Sequence, residues 1–260
     1  MISLLPSRTV ALALFGFQIH WYGLLYLLSF ILALWMLPGL QRYRGLKLSR
    51  ERWVSLVSWS ALGVIVGGRL GYVLLYEPVY FSHHPLKIFA VWEGGMSSHG
   101  GFIGVAVALA IALSVSRVNP RHLADVAAIP AAVGLALGRI GNFINQELYG
   151  TATSVNWGIA IPGVEGLRHP VQLYDALLSL LIAGFCYLHL RWMRRVPGQT
   201  CALFLILYSL MRIGLEFIRV QQHEPLQILN LVITRGQLYT VPLLLIGLLL
   251  LIWFEQEEHE

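Results

Sequence analysis

Leu135-Ala136-Leu137-Gly138-Arg139-Ile140-Gly141-Asn142-Phe143-Ile144-Asn145-Gln146-Glu147 is an apolar run with a guanidinium and several amides set into it. Upstream the same apolar character continues, so the stretch 122–144 is long enough to cross roughly 30 Å of hydrocarbon as a helix. An arginine at that depth costs roughly 2.5–3.5 kcal/mol on insertion scales, and chains keep one where it meets a partner or a ligand. Arg69 and Arg212 stand in similar surroundings, whereas Glu216 reads as the only acid clearly inside an apolar stretch. The excess of positive charge points to an anionic ligand. A structural ion-pair network is the competing reading.

Working outward, 57% of the 260 residues are hydrophobic and 12% are charged, far too apolar for a soluble domain of this length. Seven stretches have spanning length: 19–38, 54–76, 97–116, 122–144, 171–192, 200–219 and 237–254. Backbone polar groups in lipid must be satisfied within the segment, so helices are expected, and continuous apolar runs argue against a barrel. The expectation is an all-α, polytopic membrane protein of about seven spans, with 1–260 forming a single domain and a small cap built by the outward loops.

Lys and Arg in short loops set orientation. Arg42, Arg44, Lys47, Arg50 and Arg52 fill the first loop, Arg117 and Arg121 follow the third span, and Arg191, Arg194 and Arg195 follow the fifth. All fall on one side, which is then cytoplasmic, with the N-terminus outside and the C-terminus inside. The net charge of +5 thus reflects topology, not nucleic-acid binding. Residues 1–17 read as an interfacial lead-in, and Cys186 and Cys201 as core filler. The outward loops carry Pro, Gly and aromatic residues, with Trp92 and Trp157 suited to an interfacial belt. The spacings Gly63-Gly67-Gly71, Gly100-Gly104 and Gly134-Gly138 would let helices approach closely.

Four polar clusters lie on or near the outer half. They are His20-Trp21-Tyr22-Gly23, the run from Gly95 through His99 to Gly101, the Arg139 run, and Tyr208, Arg212, Glu216 and Arg219. Arg139, Asn142 and Gln146 share one helical face, and so do the four residues of the last cluster. Glu216 lies one turn from both of its arginines and could neutralise one. An arginine fork suits phosphate, and a histidine near an anionic headgroup can serve as a general base. A lone interfacial histidine is otherwise structural, and Gly100 and Gly101 leave room beside it for a substrate or another backbone.

These clusters, with Gly67-Gly68-Arg69-Leu70-Gly71-Tyr72, the run 138–150, Arg168-His169-Pro170 and Gln172-Leu173-Tyr174, resemble the bacterial phosphatidylglycerol:prolipoprotein diacylglyceryl transferase family. They occur in its order over nearly the whole chain. The resemblance implies an inner-membrane enzyme that moves the diacylglyceryl group of phosphatidylglycerol onto the lipobox cysteine of a prolipoprotein signal peptide. A thioether forms and glycerol phosphate leaves; no metal or organic cofactor is implied. It assigns catalytic roles to His99, Arg139, Arg212 and Tyr22. Lipid binding falls to Arg139, Asn142, Arg212, Tyr208, Glu147 and Glu216, with Arg69 added from its intramembrane charge. Ser98, Gln146 and Asp175 depart from the family's pattern. The alternatives are an anionic-lipid or anion transporter and a structural subunit associating through polar stripes.

Overall fold

The computed structural model describes residues 2–4, 9–15, 17–114, 118–192, 196–221, 226–228 and 231–259. Its helices are α1 (Trp21–Leu40), α2 (Arg50–Leu75), α3 (Pro78–His83), α4 (Ser98–Ser114), α5 (Pro120–Asn145), α6 (Val171–Trp192), α7 (Gln199–Glu216) and α8 (Arg235–His259). Every expected span coincides with one of these helices. Among the described residues, six helical segments are long and apolar enough to cross a membrane, and α4, at 17 residues, is a shorter apolar helix. Large apolar side chains such as Trp35, Leu74, Leu75 and Leu249 point outward, more than half exposed, while Asp125, Gln172 and Asp175 are buried. That inversion suits a lipid surround, and the chain is a multi-pass membrane protein.

Short antiparallel strands interrupt the helical expectation at the ends of the spans. β1 (Ile2–Leu4), β2 (Val10–Leu14) and β3 (Phe17–His20) form a meander, with Ile2 opposite Leu14 and Val10 opposite His20. The expected lead-in is thus a small sheet: Val10, Leu12 and Leu14 alternate with alanines, and the segment is too short to nucleate a helix. Two further strand pairs follow, β4 (Ile159–Ala160) with β5 (Leu167–Arg168), and β6 (Leu226–Ile228) with β7 (Leu231–Ile233).

The chain divides into two compact units, Met1–Gly45 with Arg121–Glu260, and Leu46–Pro120. In the second, α2 and α4 meet along a glycine seam. A Cβ on Gly71 would stand 2.7 Å from Gly100 Cα, and one on Gly67 2.6 Å from Gly104 Cα, so only hydrogen fits between the two backbones. The spacings Gly63-Gly67-Gly71 and Gly100-Gly104 anticipated this approach, each stripe being the other's partner, whereas Gly134-Gly138 meets no backbone: Gly138 has nothing within 4 Å. Ser49 and Ser97 start the two helices by accepting from Arg52 N (3.3 Å) and Gly100 N (3.2 Å).

In the first unit, the start of α5 is tied down by a buried ion pair. Arg44 Nε lies 2.6 Å from Asp125 Oδ2. The same carboxylate accepts from Gly198 N at 2.7 Å and Cys201 N at 2.9 Å, which caps α7 from a distant helix. Arg44 is therefore no solvated loop charge, as the orientation count assumed; it is 5% exposed. Arg121 lies over the rings of Trp253 and Phe254, 4.5 and 4.9 Å from their centroids. Arg117, Arg194 and Arg195 lie outside the described residues. Cys186 and Cys201 are free thiols, the first buried.

Candidate active site

Three helices of the first unit bring their polar residues into one cluster. On α5, Arg139 Nη1 donates to Asn142 Oδ1 at 3.3 Å. Asn142 Nδ2 donates in turn to Glu147 Oε1 at 2.8 Å, with Asn145 Nδ2 at 3.4 Å from the same oxygen. From α6, Asp175 Oδ2 meets Arg139 Nε at 2.7 Å, and Ser179 Oγ donates to Asp175 Oδ1 at 3.4 Å. On α7, Arg212 Nη1 pairs with Glu216 Oε2 at 2.5 Å, one turn away. Thr234 Oγ1 donates to Glu216 Oε1 at 3.1 Å. Tyr22 and Tyr208 lie within electrostatic reach of Arg139. The Tyr22 ring packs so closely on Gly141 that a Cβ there would come within 2.8 Å of it.

Past Asn145 the helix stops abruptly. Gln146 and Leu148, neither a glycine, hold left-handed backbones with φ of 58° and 56°, each costing about 1–2 kcal/mol. Gln146 therefore does not extend the face of Arg139 and Asn142. The turn is secured from both sides: Glu147 N donates to Asn142 O at 3.0 Å, and Gln172 Nε2 donates to Glu147 O at 2.6 Å. Gly150 follows where a Cβ would lie 2.6 Å from both His169 Cβ and Val171 Cγ2. Strain kept in place by this many contacts marks a segment whose shape matters.

The charge balance differs from the sequence reading. Asp125 and Asp175 are buried acids within apolar helices, so Glu216 is not alone, and Arg139 and Arg212 each have a carboxylate. Arg219 is the arginine of this cluster without a salt bridge among the described residues. The four-residue stripe breaks after Glu216 because Thr151 N donates to Ile218 O (2.9 Å) and Val220 N to Tyr149 O (3.2 Å), which draws the chain into a bridge between Gly150 and Arg219. Arg219 there lines a narrow cavity with Arg139, Leu148, Val171, Gln172 and Asp175. Among the described residues its guanidinium has no carboxylate and no hydrogen-bond acceptor. Burial first, then the Arg212 and Arg139 guanidiniums, push its pKa down to about 10. It remains a cation at neutral pH in a place short of negative charge.

Arg69 and His99 belong to the second unit. Arg69 is 6% exposed and gives Nε to Ile88 O (2.9 Å), Nη1 to Gly94 O (2.5 Å) and Gly95 O (3.2 Å), and Nη2 to Lys87 O (2.5 Å). Its guanidinium also lies 5.1 Å from the Phe81 ring centroid. Four carbonyls and a ring occupy most of what a phosphate would use, so its contacts are those of a loop clamp. Gly95, at φ 73°, could not carry a side chain, since a Cβ would stand 2.6 Å from the Tyr72 ring. His99 sits in the first turn of α4, and its side chain lies outside the described residues. The room beside Gly100 is taken by the α2 backbone, whereas a Cβ on Gly101 would meet only Val64 O, at 3.9 Å.

Arg139, braced by Asp175, and the half-buried Arg219 thus line one cavity with Leu148 of the strained turn. The sequence profile of the prolipoprotein diacylglyceryl transferase family matches residues 9–253. The chain belongs to that family. It is similar to the phosphatidylglycerol–prolipoprotein diacylglyceryl transferase of Geobacter sulfurreducens, 43% identical over 232 residues, with 89% of each chain covered. The enzyme of the same name from Nitrosomonas europaea is 41% identical across 94% of this chain and 88% of its own. That of Legionella pneumophila is 41% identical across 92% and 94%. Of the residues expected from the sequence, the structure brings Arg139, Asn142 and Glu147 into one hydrogen-bonded chain, pairs Arg212 with Glu216, and sets Tyr22 and Tyr208 within electrostatic reach of Arg139. Sequence reasoning missed the partners that hold them: Asp175, which it noted only as a departure, Thr234, and Gly236, whose Cβ would lie 2.6 Å from the Glu216 carboxyl carbon.

Proposed function

We propose that this chain is the transferase that moves the diacylglyceryl group of phosphatidylglycerol onto the lipobox cysteine of prolipoproteins, the first step of lipoprotein maturation. The observation that carries the reading is the pairing of Arg139 and Arg219 around one cavity with Asp175 as its only carboxylate, in a chain that matches the family over nearly its whole length. The two cations leave one positive charge over, which a phosphodiester answers.

In this reaction the peptide thiol attacks the glyceryl carbon that bears the phosphate, its C–O bond breaks, and glycerol phosphate departs with the electron pair. Arg139, positioned by Asp175 and Asn142, stabilises the charge that builds on the departing phosphate, with Arg219 and Arg212 adding to the field. Glu147, Glu216 and Tyr208 orient these groups, and Tyr22 packs the headgroup side of Gly141. His99 takes the thiol proton, since a thiol pKa near 8.5 leaves little thiolate at neutral pH. Arg69 serves by shaping the loop at 87–95. Residues 1–260 serve as a single diacylglyceryl transferase domain in the bacterial inner membrane. The seven helices cross it with the N-terminus periplasmic, the C-terminus cytoplasmic, and the outward loops forming a cap.

The deciding experiment incubates purified protein with phosphatidylglycerol vesicles and a lipobox peptide. A gain of diacylglyceryl mass on cysteine, with release of glycerol phosphate, is expected. No gain with a cysteine peptide, or equal gain with a serine peptide, would reject the reaction. His99→Ala should retain the fold and lose most transfer.

A further inference from the structure

One residue lining the cavity beside Arg139 carries a buried polar atom without a partner among the described residues. Gln172 is 2% exposed, one of the most deeply buried polar side chains of the chain. Its amide has only one sensible orientation. Nε2 lies 2.6 Å from the carbonyl oxygen of Glu147 and donates to it; the flipped amide would set oxygen against oxygen. Oε1 is thereby turned away from Glu147, and among the described residues it finds no donor. The same side chain lines the cavity with Arg139, Leu148, Asp175 and Arg219. A buried acceptor without a donor is costly to keep, so its retention calls for an occupant.

The surroundings restrict what that occupant can be. A phosphodiester carries no donor and cannot satisfy Oε1. An ammonium would, but Arg139 and Arg219 outnumber Asp175 around the cavity and repel it. A neutral hydroxyl remains, and the space holds little more than one water-sized group. We propose that Gln172 Oε1 accepts a hydrogen bond from a hydroxyl of the lipid headgroup, which makes Gln172 the residue that selects a polyol phosphodiester over headgroups ending in a cation or an alkyl chain. The neighbouring left-handed turn at Leu148, φ 56°, is held by the other end of the same amide. One side chain thus sets the wall of the cavity and reads what enters it.

This assignment rests on the reaction proposed above. Its test compares diacylglyceryl transfer from phosphatidylglycerol and from phosphatidyl-1-propanol, which has the same phosphodiester and no free hydroxyl. The wild type should prefer phosphatidylglycerol by about ten-fold or more in kcat/KM, the size expected of one buried hydrogen bond. Gln172→Met should bring the preference to within about two-fold while still using both lipids. If that variant does not melt like a folded protein, Gln172→Asn, too short to span from Glu147 to the cavity, takes its place with the same expectation. Equal use of both lipids by the wild type would mean that water fills the position, and an undiminished preference in the variant would mean that the hydroxyl is read elsewhere. Either overturns the assignment. A wild type that transfers from neither lipid sinks the reaction itself.

Discussion

Asp175 on α6 holds Arg139 on α5 through Nε, at 2.7 Å, and so leaves the Nη end of the guanidinium to Asn142 and the cavity. The carboxylate fixes the side chain from behind without covering the edge that meets a ligand. Asp175→Ala should therefore strand a buried cation and cost about 3–5 kcal/mol of stability. Unfolding in detergent micelles measures this, and an unchanged melting temperature would show that the pair bears no load.

Arg139→Lys keeps the charge but has one nitrogen where two separate contacts are made. It cannot hold Asp175 and reach Asn142 together, so the charge shifts by about an ångström or more. Transfer should fall roughly 100-fold, measured as kcat/KM for phosphatidylglycerol, while melting stays near that of the wild type.

Arg219 carries the opposite balance. Its pKa falls on folding to about 10, so the folded state binds the proton less tightly, and below that pH the charge opposes the fold. Arg219→Gln should leave the melting temperature equal or higher at neutral pH and lower transfer at least ten-fold. A variant that is both less stable and fully active would reverse this account.

In the glycine seam, Gly67→Ala should push α2 from α4, since its Cβ would lie 2.6 Å from Gly104 Cα. Overpacking of this kind costs about 1–3 kcal/mol. Gly184→Ala, where nothing lies within 4 Å, should be neutral or slightly stabilising. Paired melting curves decide it.

Engineered cysteines, in a background without Cys186 and Cys201, test orientation. Position 47 should react with an impermeant thiol reagent only after the inner membrane is opened, and position 165 in intact spheroplasts. The reverse pattern would invert the topology.

The spans were legible because an unbroken apolar run has few other uses, and the glycine stripes because their spacing repeats along one helix face. Arg212 and Glu216 were legible as an i, i+4 pair. What stayed hidden is contact across the chain. Asp125 lies within an apolar helix, and its partner Arg44 is 81 positions away, so no local pattern joins them. Asp175 was visible as an unusual residue, yet only packing of α5 on α6 shows what it holds. The end of α7 at Glu216 follows from pairing with residues 149–151, which overrides the helical period that would have carried Arg219 onto the same face.

The remote cap on α7 has a consequence for how the protein is made. Asp125 leaves the ribosome 73 residues before Gly198, whose N–H it accepts. At bacterial elongation rates that is a wait of about 4–15 s. During that time Arg44, already synthesised, is the one charged partner of the finished network available to it, so the pair can tie the end of α1 to the start of α5 before α7 exists. The start of the sixth span then docks onto a prepared acceptor, and the order of synthesis becomes the order of assembly.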